Sequence, residues 1–82
     1  MKDLHLSIVS PEKKIFEGPV NSVTLPGTVG SFTILPHHAP IVSSLKAGKL
    51  SYMTGSGEEQ MMDIQGGFIE MSDGEASVCI TL

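Results

Sequence analysis

Three histidines, one cysteine, a few serines and a scatter of glycines are the residues from which this chain could build a reactive or ligand-holding site. His37 and His38, with His5, invite a zinc or copper centre, because imidazole is a common ligand for both. The spacing argues against it. Adjacent residues on an extended segment point to opposite sides, and the HxxxH or HxH spacing that would aim two rings at one ion is lacking. Cys79 is alone, which excludes an internal disulfide and a cysteine cluster; its alternating apolar surroundings predict a buried, unreactive thiol. Ser31 and Ser72 sit in no GxSxG elbow, so a serine hydrolase has no nucleophile here. Gly27, Gly30, Gly66 and Gly67 suggest a nucleotide loop, yet no Gly-Lys-Ser/Thr follows them and no helix N-terminus is expected to receive phosphate. The expectation is a chain without catalytic residues, metal or cofactor.

What the same residues do suggest is contact. Residues 25–40 read LPGTVGSFTILPHHAP. Pro26, Pro36 and Pro40 fix the backbone at three points, while Gly27 and Gly30 permit sharp turning between them. Stiff, shaped loops on a small scaffold commonly carry recognition. Methionines form a second candidate surface. Met53, Met61 and Met62 cluster around one hairpin, with Met71 on a neighbouring strand, and methionine serves either as core filler or as an adaptable contact residue. Met61 and Met62 are consecutive, so on a strand one faces in and the other out. An exposed methionine beside Tyr52, read as an exposed ring, would make a small apolar patch.

The elements that must position these residues are short strands. Leu4, Leu6 and Ile8 alternate with polar neighbours, and Pro11 closes that run. Ile15 and Phe16 precede Gly18-Pro19, read as a turn; Val23 with Leu25, then Phe32 with Ile34, repeat the alternation. The IVSSLK run between Ala39 and Ala47 is read as a strand, although its periodicity also suits a single helical turn. Leu50 and Tyr52 lead through TGSGEEQ into a returning strand at 61–65, a hairpin. Gly66-Gly67 interrupts, residues 68–72 resume, and Asp73-Gly74 supplies a tight turn before Ala76, Val78 and Ile80. No segment has the spacing of a surface helix. The pattern predicts an all-β fold, a sandwich or barrel, with residues 1–82 as one domain.

Charge and length narrow the partners. The net charge is −4, with five lysines and no arginine, which argues against a nucleic-acid surface. The pair Glu58 and Glu59 reads as a solvated hairpin end. No run approaches the ~18 apolar residues of a membrane-spanning helix, so no direct membrane insertion is expected. The N-terminus has neither a secretory signal nor a transit peptide pattern, and a cytoplasmic location is the default expectation.

Four pieces, in order, resemble the N-terminal β-sandwich of the F-type ATP synthase epsilon subunit: the opening strand with VSPEKKIFEG, then SVTLPGTVGSFTILPHHAP, then LKAGKLSY, then IQGGFIEMSDGEASV. The second and fourth match the family's LPG-x-x-G-x-x-x-I-L-P-x-H-A-P and GG-F/I-x-E-V patterns in spacing and residue type. The resemblance implies a flattened β-sandwich of two mostly antiparallel sheets, with about eight to ten short strands. It implies a non-catalytic central-stalk (rotor) subunit, packed on the gamma subunit and resting on the polar loops of the c-ring, and through gamma acting indirectly on the alpha and beta catalytic subunits. Such a subunit couples ion translocation to ATP synthesis from the cytoplasmic face of the bacterial plasma membrane, as a peripheral part of the complex. The carried-over c-ring contacts are Gly27, Thr28, Val29, Gly30, Ser31 and His38. Ser31 stands where relatives hold a carboxylate, and His37 stands where a glycine is common, adding bulk to the same corner. Tyr52, Met53 and Met61, with part of LKAGKLSY, are the expected gamma-facing residues. The two-helix domain that follows in typical relatives has no counterpart in these 82 residues. A subunit naturally this short is expected to couple rotation without inhibiting hydrolysis by helix insertion. A reading from another class, a stand-alone sandwich binding a small ligand or carbohydrate, has no tryptophan and only Tyr52 as an exposed ring to stack on sugars.

Overall fold

In a computed structural model, which describes residues 4–82, the chain forms eight β-strands. They are β1 (Leu4–Val9), β2 (Lys14–Gly27), β3 (Gly30–Ile34), β4 (Ile41–Leu45), β5 (Gly48–Thr54), β6 (Glu59–Ile64), β7 (Gly66–Ser72) and β8 (Glu75–Thr81). The expected hairpins are present, and the IVSSLK run is strand β4 rather than a helical turn. Among the described residues only β1 and β8 run parallel, and every other pair is antiparallel.

The strands hydrogen-bond in the order β1-β8-β7-β4-β2-β5-β6, with β3 added on β2 and a further pairing of β1 with β2. Strand β2, 14 residues long, produces this order. Its first part lies against β1, from Lys14 opposite Val9 to Val20 opposite Leu4, and its last part lies between β3 and β5. The register with β5 slips between Val20 and Ser22, and a bulge of this kind bends a strand and raises its twist. One strand thereby passes from one layer into the other, and the two layers of the sandwich form a single continuous ladder.

The Gly18-Pro19 turn expected from sequence is therefore corrected: both residues lie inside β2, opposite Leu6 and His5. Proline is tolerated in a strand where its missing N–H would have faced an open edge. Here β5 begins to pair only at Val20, so Pro19 has no ladder partner on that side.

Period-two alternation decides what is buried. Leu4, Leu6 and Ile8 of β1 face inward with Val20, Val23 and Leu25 of β2, Ile69 and Met71 of β7, and Ala76, Val78 and Ile80 of β8. Each large aliphatic side chain so enclosed contributes roughly 1.5–3 kcal/mol. Among the described residues no polar or charged side chain is buried, so the core carries no desolvated charge. Two expectations fail on this alternation. Cys79 falls on the outward phase between Val78 and Ile80 and is only half-buried, which corrects the expected buried thiol. Tyr52 falls on the inward phase and is 7% exposed, its ring 4.5 Å from that of Phe16, which corrects the expected exposed ring.

Of the glycine pair, only Gly67 is obligatory. Its φ is 146°, and a Cβ there would lie 2.1 Å from the Cys79 carbonyl oxygen, whereas one on Gly66 would meet the Leu45 carbonyl at an ordinary 3.5 Å. Gly67→Ala should cost about 3 kcal/mol or more, and Gly66→Ala less than about 1 kcal/mol. Urea melts of both variants check the difference; equal losses would mean that the β7–β8 approach is looser than described.

Candidate contact surface

The tip between β2 and β3 is a two-residue turn. Gly27 pairs with Gly30, leaving Thr28 and Val29 at the apex, and Val29 is fully exposed at 100%. Below it the structure is tied down from two sides. Thr28 N–H donates to the Ser44 carbonyl (3.2 Å) and Lys46 N–H donates to the Pro26 carbonyl (2.9 Å), so β4 and the segment after it brace the tip. A Cβ on Gly27 would lie 2.7 Å from the Gly30 carbonyl oxygen and 2.8 Å from the Phe32 ring. Glycine lets the ring of Phe32 close over the strand and seal the end of the core. Ser31 is exposed on the next step, with its hydroxyl 3.4 Å from the Leu25 carbonyl.

His38 is not beside that tip. The chain leaves β3 at Ile34, turns at Leu35 to His38, and enters β4 at Ile41. His38 N–H donates to the Leu35 carbonyl (3.1 Å), and His38 Nδ1–H donates to the Ala39 carbonyl (2.7 Å). His37 has φ 71°, so the segment is a turn and not the extended run assumed from sequence. The two histidines line a shallow hollow with Ala39, Pro40 and the Asp73-Gly74 turn, whose φ values of 57° and 82° are those of a tight hairpin. The tip and the histidine turn thus stand at opposite ends of β3, roughly 14 Å apart along the strand. The single corner expected from sequence is a whole strand edge.

On the other side of β2, the β5–β6 hairpin brings Met53 and Met61 together. Met53 pairs with Glu59 and Ser51 with Met61, so the methionines are diagonal neighbours on the outward face. Met61 is 59% exposed and Met53 half-buried, while Met62 turns inward onto the core, dividing the consecutive pair as alternation requires. Tyr52 shares the hairpin but not its outer face; burial pushes its phenol pKa up. A surface that the sequence did not single out lies elsewhere: Val42 and Phe68 are 74% and 50% exposed on the outward faces of β4 and β7. Their place on the outward phase could have been read from the alternation of Ile41, Ser43 and Leu45, and of Ile69 and Met71.

Electrostatics concentrate on β1 and the start of β2. Lys14 Nζ and His5 Nε2 both bond the Glu17 carboxylate, the latter at 3.3 Å, and the Lys14 hydrogen bond followed by that of His5 holds Glu17 below the usual carboxylate range. Among the described residues no group of three or more His, Cys, Asp or Glu is gathered as a ligand set, and no helix is long and apolar enough to cross a membrane.

Eight strands, two braced turns and two one-sided edges define a class, that of the small all-β sandwich domain. The chain belongs to the family described as "ATP synthase, Delta/Epsilon chain, beta-sandwich domain", whose model matches residues 3–81. A relative, the ATP synthase epsilon chain of Leptospira borgpetersenii serovar Hardjo-bovis, is 41% identical over 75 residues; the match covers 92% of this chain and 58% of the relative's length. Among solved structures, a chain of the Euglena gracilis mitochondrial ATP synthase, in a cryo-EM structure of OSCP, F1 and the c-ring, is similar over all of this chain with TM-score 0.93 at 23% identity, 52% of that chain being covered. A chain from the Tetrahymena thermophila mitochondrial ATP synthase central stalk and c-ring gives TM-score 0.83 at 14% identity, covering all of this chain and 67% of its own. At such identities the two structures show that the fold is shared.

Two outcomes are expected. Gly27→Ala should displace the tip and cost about 1–3 kcal/mol, while Val29→Ala should change stability by less than about 0.5 kcal/mol, both read by urea melts. Because the pKa of Glu17 is lowered in the folded state, its contribution is present above the unfolded value and lost as pH falls through the folded one. Glu17→Gln should flatten the acid side of the stability curve below the ordinary carboxylate value of 4.5; an unchanged slope would mean that the Lys14 and His5 contacts do not persist in solution.

Proposed function

We propose that this chain is the sandwich domain of a non-catalytic epsilon subunit in an F-type ATP synthase. It serves in the central stalk, linking the gamma subunit to the c-ring and so coupling ion translocation to ATP synthesis. The observation that carries the reading is the family match along residues 3–81, and the names of the similar solved structures, one of them a central stalk and c-ring, agree with it. The domain would sit peripherally at the cytoplasmic face of a bacterial plasma membrane and reach the alpha and beta subunits only through gamma.

Mechanically the fold suits the task. Torque crosses a shallow contact only where the backbone under the contact resists displacement, and close-packed interiors have low compressibility. The tip with Gly27, Thr28, Val29, Gly30 and Ser31 is braced by β4, and His38 is held in its turn by two hydrogen bonds. We assign the c-ring contact to these residues and the edge between them, and the gamma contact to the outward face carrying Met53 and Met61. Tyr52 supports that face from within.

Purifying the full-length protein by a C-terminal tag from its native membranes, followed by mass spectrometry, tests the assignment. Gamma, the catalytic subunits and the c-subunit should be recovered with it. Recovery of none of them, from membranes whose synthase is intact, would overturn the reading and favour a free-standing ligand-binding sandwich.

A further inference from the structure

Strand β1 closes the structure. It pairs with β2 on one side and β8 on the other, so that β1, β8, β7, β4 and β2 form a complete circuit. Its pairing with β8 is parallel, the slightly less stable kind per residue. His5 stands on this seam, opposite Pro19 of β2 and Glu75 of β8. The backbone joins it to one side only. His5 N–H donates to the Gly74 carbonyl (2.9 Å), and Pro19 has no N–H, so neither ladder bond of the His5–Pro19 pair is made. At this level the link from β1 to β2 is a side-chain contact, the His5 ring on Glu17.

That ring stands among carboxylates. Nε2 bonds one oxygen of Glu17 at 3.3 Å and Lys14 bonds the other, while Glu75 is in register across the seam. Asp73 completes the charged lining of a hollow of about 450 Å³ that His5 shares with Glu17 and Glu75. Lys14 first, and His5 after it, hold Glu17 below the usual carboxylate range, so it stays charged through neutral pH. A neutral imidazole has a single N–H, and here Glu17 takes it, because a carboxylate can only accept. The remaining nitrogen then presents a lone pair, which cannot bind a second carboxylate. An imidazolium has two donors. Only the charged ring can serve Glu17 and Glu75 together.

We propose that His5 is a proton-operated clasp on the closing strand: protonated, its ring bridges Glu17 of β2 and Glu75 of β8 across β1, and neutral, it holds Glu17 alone. Histidine is the side chain whose charge ordinarily changes between about pH 5 and pH 8. The bridge favours the protonated ring, so the clasp is closed on the acid side of that range and released as pH rises through it. Further into acid, protonation of the carboxylates opens it again. The seam is therefore firmest in mildly acidic solution. With 44% of each side chain of the His5–Glu17 pair exposed, screening keeps the effect modest, about two- to fivefold in the local opening of β1. His37 and His38 line a separate hollow against the same Asp73-Gly74 turn and take no part in the clasp.

Amide exchange of the full-length protein at about pH 6 and pH 8, corrected for the intrinsic rate, tests the clasp. Protection of the β1 amides should be about two- to fivefold higher at the lower pH, relative to the β5–β6 hairpin, which carries no histidine. His5→Gln can still donate to Glu17 but gains no charge, and should abolish the difference. Glu75→Gln keeps the Glu17 contact and should remove most of it. His37→Gln, which deletes another group titrating in this range, should leave it intact. The proposal is overturned if the unaltered protein shows no difference, if His5→Gln keeps it, or if it survives Glu75→Gln undiminished. Should His5→Gln not fold, the unaltered protein and Glu75→Gln decide between these outcomes.

Discussion

The structure depends on one strand belonging to two layers. β2 is long enough to pair first with β1 and then with β3 and β5, and the bulge after Val20 is where it crosses. A domain this size buries a modest core, so its rigidity must come from continuity as well as from area. Because the two layers share a covalent strand and one ladder, they cannot slide past each other without breaking backbone hydrogen bonds. The Gly18-Pro19 pair sits just before the crossing, where a proline costs no ladder bond.

That constraint fixes where the candidate contact residues fall. Since β2 ends at Gly27, the tip that follows it projects from the end of the sandwich, and the next strand must return along the outer side of β2. β3 is consequently an edge, with the tip at one end and the histidine turn at the other. The brace from Ser44 and Lys46 arises from the same geometry, because β4 meets β2 at Gly27 opposite Leu45. A loop of two residues at the apex of such a frame has little freedom.

The two edges of the sandwich show how charge placement can divide labour. Glu59 and Asp63 keep β6 from pairing, and the hairpin they belong to offers side chains, Met53 and Met61, rather than backbone. β3 offers backbone and almost no side-chain charge. One guarded and one open edge give the sandwich two chemically distinct surfaces.

Most of the fold was legible in the sequence. Alternation at Leu4, Leu6 and Ile8, or at Ala76, Val78 and Ile80, states both the strand and its buried face, because strand side chains have a period of two whatever they pair with. Asp73-Gly74 and the glycines after Thr54 state turns for equally local reasons. Family membership was legible too, since the spacing around residues 25–40 and 66–71 is a local property of the chain. What the sequence could not decide was partnership across the sheet. Gly18-Pro19 carries a turn signal that the β1 ladder overrides. Tyr52 reads as an exposed ring until the phase of β5 against β6 and the ring of Phe16 enclose it. Cys79 reads as core until its outward phase is fixed by Val78 and Ile80. The tip and His38, near in sequence, are separated by the full length of β3. Cys79 follows its own strand's alternation, but the pairing of Gly18-Pro19 and the enclosure of Tyr52 depend on which strand lies beside which, and that is set by long-range pairing between residues far apart in the chain, a relation that no local pattern encodes.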